Sequence, residues 1–105
     1  YWIPGYQAAK AATPIPPDNA TSVKLDADLM WLGGYKADSH DVYFGTSKNA
    51  VADANRNSEE FKDSPTNNIF APPLNPNTTY YWRIDALDAN GNVKTPGDLW
   101  SFTTK

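Results

Sequence analysis

The run Thr79–Leu87 limits what this chain can fold into more than any other stretch. It reads Thr-Tyr-Tyr-Trp-Arg-Ile-Asp-Ala-Leu, with Tyr80, Trp82, Ile84 and Ala86 alternating against Tyr81, Arg83 and Asp85. Side chains of a strand point to opposite faces in turn, so this period of two predicts a strand with one buried face. A slip of one residue in its pairing would turn Arg83 and Asp85 into the interior, so the register is strongly specified. Asp88-Ala89-Asn90-Gly91-Asn92 follows. Asn-Gly readily takes positive φ at both central positions of a tight turn, so the strand is expected to end in a hairpin.

Shorter segments of the same kind fill the rest of the chain. Val23-Lys24-Leu25, Leu29–Leu32, Asp41–Phe44, Asn68–Ala71 and Leu99–Thr104 are strand candidates, separated by Gly33-Gly34, Gly45-Thr46-Ser47 and Pro72-Pro73. Six or seven short strands without a long helix, in 105 residues, predict one all-β domain, a sandwich or a barrel. Alternation places Leu29, Trp31, Val42, Phe44, Trp100 and Phe102 inward and leaves Tyr43 outside. Lys48–Pro65 is polar and charged, with Val51 and Phe61 as its inward anchors, and reads equally as an irregular strand, a helical turn or a loop. Residues 1–13 read as a linker or the end of a preceding domain, and residues 14–105 as the domain itself. Thr13-Pro14-Ile15-Pro16-Pro17 would lead in extended form to an edge strand, where proline is tolerated.

Composition removes several function classes. There is no cysteine, so stability must come from the aromatic core and the strand ladders rather than from disulfides. The net charge of −3, with no run of like charges, argues against nucleic acid and against an anionic membrane surface. No apolar stretch approaches the roughly 20 residues of a membrane span. The chain begins at Tyr1-Trp2, without Met and without a signal peptide, which reads as a piece of a longer protein. A monomer is expected.

Leu74-Asn75-Pro76-Asn77-Thr78-Thr79-Tyr80 resembles the Leu-x-Pro-x-Thr-x-Tyr segment of fibronectin type III domains. Pro16–Val23, Leu29–Trp31, His40–Ser47, Tyr80–Asp85 and Leu99–Thr104 extend the resemblance to residues 14–104, in the form found beside polysaccharide lyases and glycoside hydrolases in large secreted bacterial proteins. The resemblance implies an immunoglobulin-like sandwich of about seven antiparallel strands. It also implies a tyrosine corner, in which the Tyr80 hydroxyl bonds to backbone a few residues upstream and Leu74 plugs the loop beneath. By function it implies a non-catalytic spacer or docking module, extracellular and bacterial, whose partners are the neighbouring domains of its own chain. A fold does not fix an activity.

The residues themselves offer little chemistry. With one His and no Cys, neither a Cys–His pair nor a multi-histidine metal site can form. His40 and Asp41 are adjacent in a strand and should face opposite ways. Asp26, Asp28, Asp38, Asp85, Asp88 and Glu59-Glu60 supply carboxylates for glycoside hydrolysis, but a sandwich of this size usually lacks the cleft that would tune them. Asp88, Asn90 and Asn92 echo the start of a calcium loop without its later Glu, and the hairpin explains them more simply. Asn19-Ala20-Thr21 and Asn77-Thr78-Thr79 fit the glycosylation acceptor pattern, which Asn- and Thr-rich turns produce by chance. No cofactor is expected.

Exposed aromatic side chains remain. Sugar rings stack on flat aromatic platforms, so Tyr43, Tyr81 and Arg83 on the outer face form a candidate polysaccharide strip, with Trp2, Tyr6 and Tyr35 as further candidates. A cross-strand pair that merely stabilises the sheet explains Tyr43 and Tyr81 as well.

Overall fold

In a computed structural model, the chain is described over residues 10–34 and 36–105. Along it come β1 (Ala12–Ile15), β2 (Ala20–Val23), β3 (Leu29–Leu32), β4 (Ser39–Gly45), a short helix α1 (Lys48–Ala52), β5 (Phe61–Asp63), β6 (Ile69–Phe70), β7 (Thr79–Leu87), β8 (Val93–Thr95) and β9 (Leu99–Thr104). They form a sandwich. One sheet has the order β1-β3-β6, the other β2-β9-β7-β4-β5, with β8 hairpinned onto β7.

The core lies where the alternation in β7 demands. Tyr80, Trp82, Ile84 and Ala86 are buried, and they meet Leu29 and Trp31 from the opposite sheet, with Val42, Phe44, Trp100 and Phe102 beside them. The ladder fixes this arrangement, because Trp82 lies opposite Phe44 on one side and Trp100 on the other. Phe44 and Tyr80 stack with ring centroids 4.9 Å apart, and Trp82 meets Trp100 edge-to-face at the same distance. Tyr80 also closes the corner expected of it: the Asn75 N–H donates to its hydroxyl at 2.8 Å, and Leu74 packs against the core.

The first strands join the two layers. β1 pairs antiparallel with β3, and after Pro16-Pro17 the chain crosses so that β2 pairs with β9 of the other sheet, in parallel. β1 is an edge strand, as Pro14 requires. Bonds from the Asn19 N–H to the Ser101 carbonyl and from the Lys105 N–H to the Val23 carbonyl hold the β2–β9 seam at its two ends. Lys10 lies beside Asp98, just before β9, so the chain comes in at one end of this seam and leaves at the other.

Several expectations need correction. The number of strands is nine among the described residues, and the β2–β9 pair is parallel, because the lead-in divides between the sheets instead of joining one. The fold begins before residue 14, since Ala11 is buried in the core and β1 starts at Ala12. Lys24 and Leu25 lie past the end of β2, and Leu25 is exposed. In the β7–β8 hairpin, positive φ falls on Gly91 and not on Asn90. The Gly91 N–H bonds back to the Asp88 carbonyl, giving a type I turn closed by a left-handed glycine. Asn19 and Asn77 take φ of 66° and 52°, a left-handed conformation that Asn tolerates better than most residues, so the backbone accounts for both.

Candidate functional site

Tyr43, Tyr81 and Arg83 do lie together on the outer face of the larger sheet, but that face is roofed. Lys48–Pro65, ambiguous in sequence, forms α1, a series of turns and β5, and it folds over the outside of the sheet. Ser47 caps α1 by accepting from the Ala50 N–H, and Asp53 ends it. Val51, Ala54 and Phe61 then pack with Tyr43, Tyr81 and Leu99 into a second, smaller core. Val51 and Phe61 are anchors as expected, on the side of the sheet opposite to the one expected.

Tyr43 is therefore 2% exposed and offers no platform for a sugar. Its ring packs on Phe61 at 5.6 Å, and the Arg83 guanidinium lies 4.2 Å from its centroid. Burial, then the charges of Asp41 and Asp85, push its hydroxyl pKa up, against the pull of Arg83 and Arg56. The register explains the contact, since Tyr43 lies directly opposite Arg83, while Tyr81 is opposite Gly45.

Arg83 holds the roof in place. Its Nη1 donates to the carbonyls of Val51 and Ala52 at 3.0 and 2.8 Å, and its Nη2 to that of Ala54 at 2.8 Å. These carbonyls lie at and beyond the last turn of α1, where helical acceptors lack partners, and a cation there is favoured twice over. The same guanidinium grips Asp85, Nε to Oδ1 at 3.0 Å and Nη2 to Oδ2 at 3.1 Å. Asp85 Oδ1 also accepts from the Gly97 N–H. Gly97 has no room for a side chain, because a Cβ would run into the Ile84 carbonyl.

Asp85 lies opposite Asp41 in the ladder, so two buried carboxylates face each other across neighbouring strands. Such a pair invites a catalytic reading, but each has its own arginine. Arg56 Nε and Nη2 reach the Asp41 carboxylate at 2.7 and 3.0 Å. The hydrogen bond to Asp41 raises the pKa of Arg56 above its already high value. A carboxylate locked two-pronged to a guanidinium is poorly suited to act as acid or nucleophile. Sequence reading missed Asp41, Arg56 and Gly97 as partners. The cross-strand positions of Asp41 and Asp85 could have signalled the first; nothing local signals the other two.

His40 faces the other way, as alternation requires. It is buried against Trp31, with ring centroids 5.9 Å apart, and its Nε2 accepts from the Gly34 N–H at 3.1 Å. Burial lowers its pKa. At the hairpin, Asp88 Oδ1 accepts from the N–H groups of Asn90 and Asn92, so it braces the turn. Among the described residues no cluster of three or more His, Cys, Asp or Glu could hold a metal ion, and no helix is long and apolar enough to cross a membrane.

Open hollows lie among the described residues. One, of about 350 Å³, is lined by Asp18, Asn19, Lys48, Tyr81, Leu99, Trp100 and Ser101. Another, of about 310 Å³, lies between the edges of the sheets, with Phe44, Phe70, Pro72 and Pro73 facing Glu59, Glu60 and Lys62. Tyr81, half-buried, borders the first of these hollows. Trp2, Tyr6 and Tyr35 lie outside the described residues.

No protein-family model matches the sequence, and no curated protein does. Similar solved structures exist. An α-L-rhamnosidase from Dictyoglumus thermophilum matches over 94% of this chain and 12% of its own, with 16% identity and a TM-score of 0.66. An α-L-rhamnosidase from Streptomyces avermitilis, complexed with L-rhamnose, matches over 90% of this chain and 10% of its own, with 20% identity and a TM-score of 0.57. The chain thus spans about a tenth of the length of these enzymes, and at such identities the likeness is one of fold.

Proposed function

We propose that this chain is a non-catalytic, fibronectin type III-like accessory module of a multidomain carbohydrate-active enzyme, secreted by a bacterium, where it separates and orients neighbouring domains. The placement of Lys10 and Lys105 carries this reading. Lys10 lies beside Asp98 and Lys105 beside Val23, at opposite ends of the β2–β9 seam, so whatever precedes and follows is held apart by the length of the sandwich. The likeness to a tenth of two rhamnosidases supports the enzyme context, and the tyrosine corner at Tyr80 supports the fold type. The occupied carboxylates of Asp41 and Asp85 support a role without catalysis. Incubating the chain with aryl rhamnosides and with plant and algal polysaccharides should give no turnover, and turnover would refute the reading. The full-length natural protein should carry a catalytic domain of a glycoside hydrolase or lyase; a chain with none would refute the enzyme context.

A second reading, carbohydrate binding, is favoured by one observation: the polar hollow beside Tyr81, with Lys48, Asp18 and Asn19 around it. In this reading Tyr81, not Tyr43, offers the ring, and Arg83 acts by holding the roof. Calorimetric titration with the same polysaccharides tests it. Heat that disappears in Tyr81→Ala with the fold intact supports binding, and no heat from any of them dismisses it.

A further inference from the structure

The outer face of the larger sheet is divided. On the roofed side its outward positions include the charged Asp41, Arg83 and Asp85, with Arg56 reaching in. On the open side, along β7 and β9, they are neutral and carry hydroxyls. Thr79 lies opposite Thr103, and Tyr81 opposite Ser101. Residues two apart on a strand point the same way, so the two pairs share a face, about 7 Å apart along the strands. The Thr79 and Thr103 hydroxyls are 2.8 Å apart. One proton is spent between them, so the pair still offers one donor and free lone pairs. Tyr81 packs against the second core, which steadies its ring, while its neighbour on β9 is only a serine. Half-buried, it keeps part of its surface open to the 350 Å³ hollow.

The charges around that hollow have opposite signs. Asp18 and Lys48 both line it and both are exposed. Asp18 Oδ1 accepts from the Ser101 N–H at 2.9 Å, which fixes the carboxylate, and Oδ2 makes no bond among the described residues. Lys48 forms no ion pair among them either. A sugar hydroxyl can donate to a carboxylate and accept from an ammonium, so a neutral polyol uses both groups. A carboxylated sugar gains from Lys48 and is repelled by Asp18. Carboxylates are held best by a guanidinium fork. Both forks on this face are engaged, Arg56 with Asp41 and Arg83 with Asp85.

We infer that the open half of this face takes a neutral oligosaccharide and rejects acidic ones. One sugar ring lies on Tyr81 between Asp18 and Lys48, and the chain continues along the strands over the Thr79–Thr103 pair. The inference rests on the carbohydrate-binding reading of the hollow and names the class of glycan.

Calorimetry and amide NMR of the full chain test it together. The probes are neutral oligosaccharides of glucose, mannose, galactose and arabinose, set against oligogalacturonate and oligoalginate. At least one neutral probe should bind, with an affinity that does not change between low and high salt, because no ion pair forms. Its addition should shift the amide signals of Asn19, Ser101 and Thr103 and leave those of Phe61 and Lys62 in place. Binding should be lost in Tyr81→Ala and weakened in Lys48→Met. The shift map of the parent chain decides alone if Tyr81→Ala loosens the roof. Acidic probes that bind in a salt-sensitive way, with the neutral ones silent, would overturn the inference and leave carbohydrate binding standing. Silence from every probe would overturn both. Neutral binding that shifts other amides would overturn the placement on this face.

Discussion

Replacing Arg83 by Met should unfasten the roof of the larger sheet. The variant keeps the hydrocarbon stem over Tyr43 but loses three bonds to the carbonyls of Val51, Ala52 and Ala54 and two to Asp85. The carbonyls are partly recoverable, because Ala52 is exposed and water can reach it. Asp85 is not, since its side chain is 5% exposed and keeps only the Gly97 N–H as partner. Breaking a buried ion pair from one side costs about 3–5 kcal/mol. That is a large share of the roughly 5–15 kcal/mol that holds a domain folded. Urea denaturation reads this as a lowered midpoint at unchanged slope. Hydrogen exchange locates it, with protection lost first at the Val51, Asp53 and Ala54 amides, which close α1. Arg83→Lys should be intermediate, since one ammonium cannot replace the planar fork. Adding Asp85→Asn to Arg83→Met should restore part of the loss, with a coupling of about 1–3 kcal/mol. An Arg83→Met variant within about 1 kcal/mol of the parent, with α1 protection intact, would refute this account.

Tyr80→Phe strands the Asn75 N–H at the corner and should cost about 1–2 kcal/mol by urea denaturation. Gly97→Ala drives a methyl into the Ile84 carbonyl, so it should cost about 2 kcal/mol or more and lower the melting temperature. His40 gives a pH dependence of definite sign. Its folded pKa lies below the unfolded 6.5, so between the two the unfolded chain holds a proton that the native state lacks. Stability measured by denaturation should therefore fall as pH drops below 6.5 and level off beneath the folded pKa, and His40→Gln should flatten this limb.

The main core was legible because β7 states its pattern plainly: Tyr80, Trp82, Ile84 and Ala86, at every second position, fix both the strand and its inner face. Tyr80 was legible because the corner needs a hydroxyl at one fixed offset from the loop. The outer face was not. Alternation assigns Tyr43, Arg83 and Asp85 to the outside correctly, but it does not say that the outside is covered. The cover has few apolar residues, at Val51, Ala54 and Phe61, with no period of 2 or 3.6 among them. Its anchorage to Arg83 consists of backbone carbonyls about thirty positions away, which leave no trace in side-chain identity. Gly97 was hidden for a similar reason, since its need for space arises from the Ile84 backbone.

The parallel seam between β2 and β9 has a mechanical consequence. Tension drawn through the polypeptide from the start of β2 to Lys105 runs lengthwise along these two strands, so their hydrogen bonds are loaded together in shear instead of being peeled open one by one. A sandwich stitched in this way yields to a pull along β2 and β9 only when the whole seam gives at once.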